Sequence, residues 1–198
     1  MNNFTYDYIA NEFDKTRRTV WNHVALFLDS LEAHSTVLEL GCGNGKNMLY
    51  RNDLDFIGID ISKEQVNICN KKKLNCSESN ITNLLFEDNK FDYMICIATY
   101  HHLDNDIDRQ RCLNEIYRTL KPNGKILITV FSMEQPINSK FKFTKSDEFV
   151  PWNKNVLRYY HIYRKDELES EIKRLNNNFL ILSKGWEMGN WWIILQKN

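Results

Sequence analysis

The chain has 198 residues, with 26 basic and 26 acidic side chains and a formal net charge of zero. That length supports one good-sized core, and 42% apolar residues exclude a disordered chain. No apolar run approaches the roughly 20 residues that span a bilayer, and the balanced charge lacks the footprint of a strong nucleic-acid binder.

The first residues, MNNFTYDYIANEF, carry no basic-then-apolar signal pattern, so a soluble intracellular chain is expected. The five cysteines are scattered without a CxxC pair. Reduced, mostly buried thiols are expected, with neither a disulfide framework nor a metal site. A helix is predicted over about 5–13. Val20, Trp21, Val24, Ala25, Phe27, Leu28 and Leu31 recur at helical spacing and predict a second over about 17–32. TVLELGCGNGK then reads as a buried strand ending in a glycine-rich turn. DFIGIDIS reads as a strand ending in Asp60, and Ser62 is placed to cap the helix that follows.

KFDYMICIATY is the next apolar strand. An amphipathic helix is predicted over 106–120, with Ile107, Cys112, Leu113, Ile116 and Leu120 on its apolar face. The acidic DNDID before it suits the positive end of a helix dipole. KPNG (121–124) reads as a stop and turn, and GKILITVFS as a strand. RKDELESEIKRL reads as a late helix. FLILSK and NWWIILQK, separated by GWEMG, predict an antiparallel hairpin, with Trp186, Trp191 and Trp192 packing around it. Strand–helix alternation with a terminal hairpin predicts an α/β doubly wound, Rossmann-like, mostly parallel sheet. One domain is expected: N-terminal helices to 33, a ligand-binding core over 34–131, a substrate-side segment over 132–165, and a closing helix and hairpin.

Gly41, Gly43 and Gly45 form GxGxG directly after the first strand, where glycine allows a tight turn and close ligand approach. Asp60 closes the second strand 19 residues beyond Gly41, where a carboxylate can accept from both hydroxyls of a ribose. Glu39 adds a negative charge before the glycines. Together with KFDYMICIATYHHL and LKPNGKILI, these motifs resemble those of class I S-adenosylmethionine (SAM) methyltransferases. The resemblance implies SAM as methyl donor, leaving S-adenosylhomocysteine. It implies that Glu39, Gly41, Gly43 and Gly45 face the amino-acid part, Asp60 and Ile61 the ribose, and Asn80, Ile81 and Ile97 the adenine side. Asn80 stands where many members carry an acid, and its side-chain oxygen can accept from the adenine amino group.

TRRTVW (16–21), FSMEQ (131–135), VPW (150–152), RYYHIYRKDEL (158–168) and GNWWIILQK (189–197), in this order, resemble the eukaryotic tRNA wobble-uridine carboxymethyl methyltransferases over nearly the whole chain. Only fourteen residues separate Gln135 from Val150, so an insertion found in larger members is absent. The resemblance implies methylation of the carboxylate of 5-carboxymethyluridine in the tRNA anticodon loop. It also implies a heterodimer with a small zinc-binding activator, in the cytoplasm with a nuclear pool allowed. A carboxylate is already ionised at neutral pH, so positioning and a cation are required rather than a base. Arg17 is the first candidate for the cation and Arg158 the second. His101 or His102 is a candidate to bind the carboxylate or the uracil edge, unless one only satisfies loop carbonyls.

The segment VPWNKNVLRYYHIY (150–163) is too polar for a core strand and too aromatic for a linker. Trp152, Arg158, Tyr159, Tyr160 and His161 are expected to wall the pocket of a flipped base. Arg17 and Arg18, Lys71 to Lys73, and Lys140, Lys142 and Lys145 offer a path for the tRNA backbone. Two other readings remain open at this point: a methyltransferase of a small carboxylate or phenol, and a non-catalytic SAM-fold partner subunit.

Overall fold

Parallel strands require long crossover connections; α-helices supply those after the second and fourth strands, and turns supply those after the first and third. The structure, a computed structural model, describes residues 3–153, 156–175 and 178–198; Lys154 and Asn155 of the aromatic segment lie outside these. In chain order the elements are α1 (Asn3–Thr16), α2 (Asn22–Asp29), β1 (Thr36–Leu40), β2 (Asp55–Asp60), α3 (Lys63–Lys71) and β3 (Cys76–Glu78). They continue with β4 (Phe91–Ile97), a 3-10 turn at Tyr100–His102, α4 (Asp106–Thr119), β5 (Leu120–Phe131), β6 (Asp147–Asn153), β7 (Val156–His161), α5 (Glu167–Lys173), β8 (Phe179–Glu187) and β9 (Asn190–Lys197).

Seven strands form one sheet in the order β3-β2-β1-β4-β5-β9-β8. β1 to β5 pair in parallel, and β9 runs antiparallel between β5 and β8. The expected α/β doubly wound arrangement is therefore present. The order reverses between β1 and β4, which opens a crevice at their carboxyl ends. Strand alternation sorts the core. Leu38, Met94 and Ile128 join Leu113 and Ile116 of α4 and Ile172 of α5 on one face, while Val37, Ile95 and Leu127 meet Val24, Phe27 and Leu28 of α2 on the other.

Local capping matches the sequence. Ser62 Oγ accepts from the Gln65 N–H at 3.2 Å, and Asn105 Oδ1 accepts from the Asp108 N–H at 2.9 Å. The terminal hairpin is present, but its turn is tighter than GWEMG suggests. Met188 and Gly189 turn at φ of 50° and 81°, and Gly185 to Glu187 stay in β8. Positive φ at both turn residues matches the twist of the flanking strands.

Three elements differ from expectation. The helix over 17–32 begins only at Asn22, because Trp21 is extended (φ −73°, ψ 152°). α1 packs at the mouth of the crevice, where Asp7 accepts from Ser62 Oγ at 2.7 Å, while α2 packs under the sheet. One straight helix cannot serve both places. The helix stops before KPNG as expected, at Thr119, but KPNG lies inside β5 rather than before it: β5 runs from Leu120, with Asn123 at φ 64° and a register shift opposite Phe91–Tyr93 absorbing the turn. Ile107 is 63% exposed, so it does not belong to the apolar face of α4.

β6 and β7 form a separate two-stranded hairpin above the sheet. FSMEQ clasps the terminal hairpin: Gln135 Nε2 donates to the carbonyls of Ser132 and Gly189 at 2.7 and 3.0 Å, and Trp191 Nε1 donates to Glu134 at 3.0 Å. α5 is tied down by a buried charge. Arg109 Nε lies 3.1 Å from Glu171 Oε1, with both side chains 8% exposed, and the hydroxyls of Tyr100 and Tyr163 each donate to Glu171 Oε2 at 3.1 Å. Removing one member of such a group strands the others. Glu171→Ala is expected to lower stability by about 3–5 kcal/mol in urea unfolding, whereas a loss under about 1 kcal/mol would show that Asp106 alone satisfies Arg109.

Candidate active site

A cavity of about 450 Å³ fills the crevice at the carboxyl ends of β1, β2 and β4. At one end stand two carboxylates. Glu39 is 1% exposed; Asn47 Nδ2 donates to its Oε1 at 2.6 Å, and its Oε2 has no partner. Burial pushes its pKa up to about 8, against the pull of Asn47 and Lys46. Asp60 Oδ2 accepts from the Gly43 N–H at 2.8 Å and Oδ1 from the Ser62 N–H at 2.9 Å. Burial raises its pKa to about 6, and these backbone donors limit the rise. Gly41 turns at φ 70°, and a Cβ there would lie 2.3 Å from the Thr99 side chain. The ends of β1 and β4 therefore meet only because residue 41 is glycine.

This end fits SAM. The orphan Glu39 oxygen suits an ammonium, Asp60 suits a ribose diol, and Ile81 and Ile97 are buried apolar walls at 5% and 8% exposure. Asn80 lines the cavity, but differently from expectation. Its Oδ1 already accepts from both the N–H and the hydroxyl of Thr82 at 3.0 Å.

Two neutral histidines also line the cavity. His101 Nδ1 accepts from the Phe131 N–H at 3.0 Å, which puts its proton on Nε2, and Nε2 is buried without a partner. Burial, followed by neighbouring His102 and Arg158, drives its pKa well below the ordinary value. His102 Nδ1 donates to the Tyr159 carbonyl at 2.9 Å, and burial lowers its pKa to about 3. Tyr160 stacks on His101, with ring centres 4.7 Å apart. Neither histidine can act as a cation at neutral pH.

The cavity also carries positive charge. The guanidiniums of Arg17 and Arg158 each lie 4.9 Å from the centre of the Trp152 ring, and both line the cavity. Neither has a carboxylate partner among the described residues, and Arg158 Nε is buried without a hydrogen bond. Burial, then the nearby Arg158 charge, lowers the pKa of Arg17.

Thirteen of the expected site residues line this cavity: Arg17, Glu39, Gly41, Gly43, Asp60, Ile61, Asn80, Ile81, Ile97, His101, His102, Arg158 and Tyr160. Four do not. Gly45 serves packing, since a Cβ there would lie 2.3 Å from Leu74. Trp152 supports the two arginines from outside and donates to Glu12 at 2.8 Å. Tyr159 and His161 point to the other face of β7, because side chains alternate along a strand. Tyr159 donates to Asp147, and His161 bonds Asp147 and Glu167 at 2.9 and 3.0 Å. Lys72 is also not free for RNA: its Nζ reaches Asp14 at 2.5 Å and the Asn44 carbonyl at 2.9 Å.

The sequence reading missed Asn44. Its amide donates to Asp14 at 3.0 Å and to the Arg17 carbonyl at 2.9 Å, tying the glycine turn to the arginine. The only local signal was an asparagine between two glycines. Tyr6, Phe13 and Trp21 also line the cavity, and only their aromatic character marked them.

Glycine turn, strand-end carboxylate and order reversal together define a class I SAM-dependent methyltransferase. Residues 38–128 match the methyltransferase domain family. The fold superposes on a SAM-dependent methyltransferase from Methanosarcina mazei with a TM-score of 0.74 at 19% identity, covering 90% of this chain and 98% of that one. It also superposes on a Haloferax volcanii methyltransferase solved with the Trm112 methyltransferase activator, with a TM-score of 0.72 at 16% identity, covering 98% of this chain and 95% of that chain. A tRNA (carboxymethyluridine(34)-5-O)-methyltransferase from Schizosaccharomyces pombe is 31% identical, over 98% of this chain and 94% of its own length. The chain belongs to that methyltransferase family.

Two measurements follow from the electrostatics. Burial raises the Glu39 pKa, and an ammonium ligand beside it favours the ionised form. SAM binding is therefore expected to release a proton, seen as a buffer-dependent heat in calorimetry, and Glu39→Gln should abolish the release. His161 has the opposite behaviour. Burial lowers its pKa, but Glu167 and Asp147 outweigh this and the net shift is upward. A folded pKa above the unfolded value stabilises below that value, about 6.5, and the gain fades as pH rises through the folded value. Stability should fall between pH 6 and 8 by more in the parent than in His161→Gln, as read by thermal melts.

Proposed function

We infer that this protein methylates the carboxylate of 5-carboxymethyluridine at the tRNA wobble position, with SAM as donor. Family membership supports the reaction, since the fission-yeast relative is a tRNA (carboxymethyluridine(34)-5-O)-methyltransferase. The observation that carries the reading is the pair of guanidiniums, Arg17 and Arg158, facing the cavity without carboxylate partners among the described residues. Glu39 and Asp60 line the same cavity, so it offers acids to a cationic donor and guanidiniums to an anion.

When bound, SAM supplies an electrophilic methyl group on a sulfonium. The residues of the chain do the rest by position. Glu39 and Asp60 hold the donor. Arg17 and Arg158 hold the substrate carboxylate, which is ionised near pH 7 and needs no base. The two neutral histidines agree with this, because no proton has to be removed. His101 Nε2–H offers a hydrogen bond to the carboxylate or the uracil edge, and Tyr160, stacked on His101 and under the Arg158 guanidinium, holds both in place. Holding oxygen, methyl and sulfur in line can contribute on the order of 7–11 kcal/mol.

A small zinc-binding activator, forming a heterodimer in the cytoplasm, is part of the same proposal. A methyltransferase of this fold from Haloferax volcanii was solved in complex with the Trm112 methyltransferase activator, which supports a partner of that kind.

The test is transfer from labelled SAM to tRNA carrying unesterified carboxymethyluridine, with and without an activator, followed by nucleoside analysis by mass spectrometry. Label in the methyl ester is expected. Arg17→Ala and Arg158→Ala should each keep SAM binding and lose about 10- to 100-fold in kcat/KM, the loss of one charge-assisted contact. No label under either condition, with SAM bound, would overturn the reading.

A further inference from the structure

Three of the five cysteines converge although they are distant in sequence. Cys42 stands in the glycine turn after β1, Cys69 in the last turn of α3, and Cys76 at the start of β3. Their sulfurs all lie within 4.8 Å of one another, and those of Cys42 and Cys76 are 3.8 Å apart. A fourth sulfur completes the group: Met48 Sδ lies 3.6 Å from Cys76 Sγ. Cys42 and Met48 are 4% exposed and Cys69 is fully buried.

The backbone leaves room for these atoms. A Cβ on Gly58 would lie 2.7 Å from Cys76 Sγ and 2.8 Å from Met48 Sδ, and one on Gly45 would lie 3.0 Å from Cys69 Sγ. The spacing also has a chemical meaning. A metal–sulfur bond of about 2.3 Å in tetrahedral geometry sets neighbouring sulfurs about 3.8 Å apart. Cys42 and Cys76 already stand at 3.8 Å. Thiolates and thioethers select soft closed-shell cations over hard ones.

We propose that Cys42, Cys69 and Cys76, with Met48 as the fourth sulfur, form a binding site for a thiophilic closed-shell cation of the Cu(I) or Zn(II) kind. The thiols release their protons to solvent as the metal–sulfur bonds form. Cys42 lies between Gly41 and Gly43, and Cys69 Sγ is 3.1 Å from the Gly43 carbonyl. The ion therefore clamps the glycine turn that shapes the donor end of the cavity. The site does not depend on which substrate is methylated.

The full chain, reduced and stripped by a chelator, is titrated with Cu(I) against a chromogenic chelator and separately with Zn(II). One equivalent bound is expected, with a thiolate-to-metal charge-transfer band for Cu(I) and a rise in melting temperature. Cys69→Ser and Cys76→Ser should each weaken binding at least tenfold, while Cys112→Ala, on the buried face of α4, should not. Metal-free melts of each variant identify any that fail to fold, and Cys76, the half-buried member, is the safest to change. No stoichiometric uptake by the parent chain, or uptake unchanged in Cys76→Ser, would overturn the site and leave the sulfurs as apolar packing.

Discussion

The hydrogen bond from the Gly43 N–H to the Asp60 carboxylate holds the rest of the site in register. It spans the ends of two adjacent parallel strands and turns the loop after β1 over the end of β2. With the turn pinned, Cys42 meets Cys69 and Cys76, and Asn44 reaches across to Asp14 and the Arg17 carbonyl. Asp60 thus has two tasks. It shapes the turn through its backbone donors, and it keeps a carboxylate at the donor end of the cavity. The first task limits the desolvation cost of the second, since the same N–H groups oppose the upward push of burial on its pKa.

The cavity combines both signs of charge. Buried acids at the ends of β1 and β2, two uncharged imidazoles and two guanidiniums all line it. The imidazoles stay neutral because they are buried and because Arg158 adds positive potential beside them. A third cation there would compete with the arginines for the same anion. Their opposite tautomers follow from backbone partners, with His101 accepting from Phe131 and His102 donating to Tyr159.

The β6–β7 hairpin supplies the substrate side without joining the sheet. Period-two alternation sends Arg158 and Tyr160 into the cavity and Tyr159 and His161 outward to Asp147 and Glu167. Its hold on α1 runs through Trp152, which stacks on Phe13 at 5.8 Å and bonds Glu12. Outward latch and inward wall are therefore made by neighbouring residues of one strand. The aromatic density of the segment reflects both uses.

The sequence by itself determined the elements whose signals are local. Apolar runs bounded by Gly41 and Asp60 set β1, β2 and the turn between β1 and its crossover. Ser62 set the start of α3, and the helical spacing of Cys112, Leu113 and Ile116 set α4. These depend on backbone sterics, capping and periodicity within a few residues, so they can be read without the fold. The donor-side residues follow, because they sit where those strands end. Tertiary structure decided the remainder. The break after Arg17, the outward faces of Tyr159 and His161, the occupied oxygen of Asn80, the pairing of Arg109 with Glu171 and the meeting of four sulfurs all rest on long-range contacts. No spacing in the chain encodes a partner that only the assembled sheet and helices bring within bonding distance.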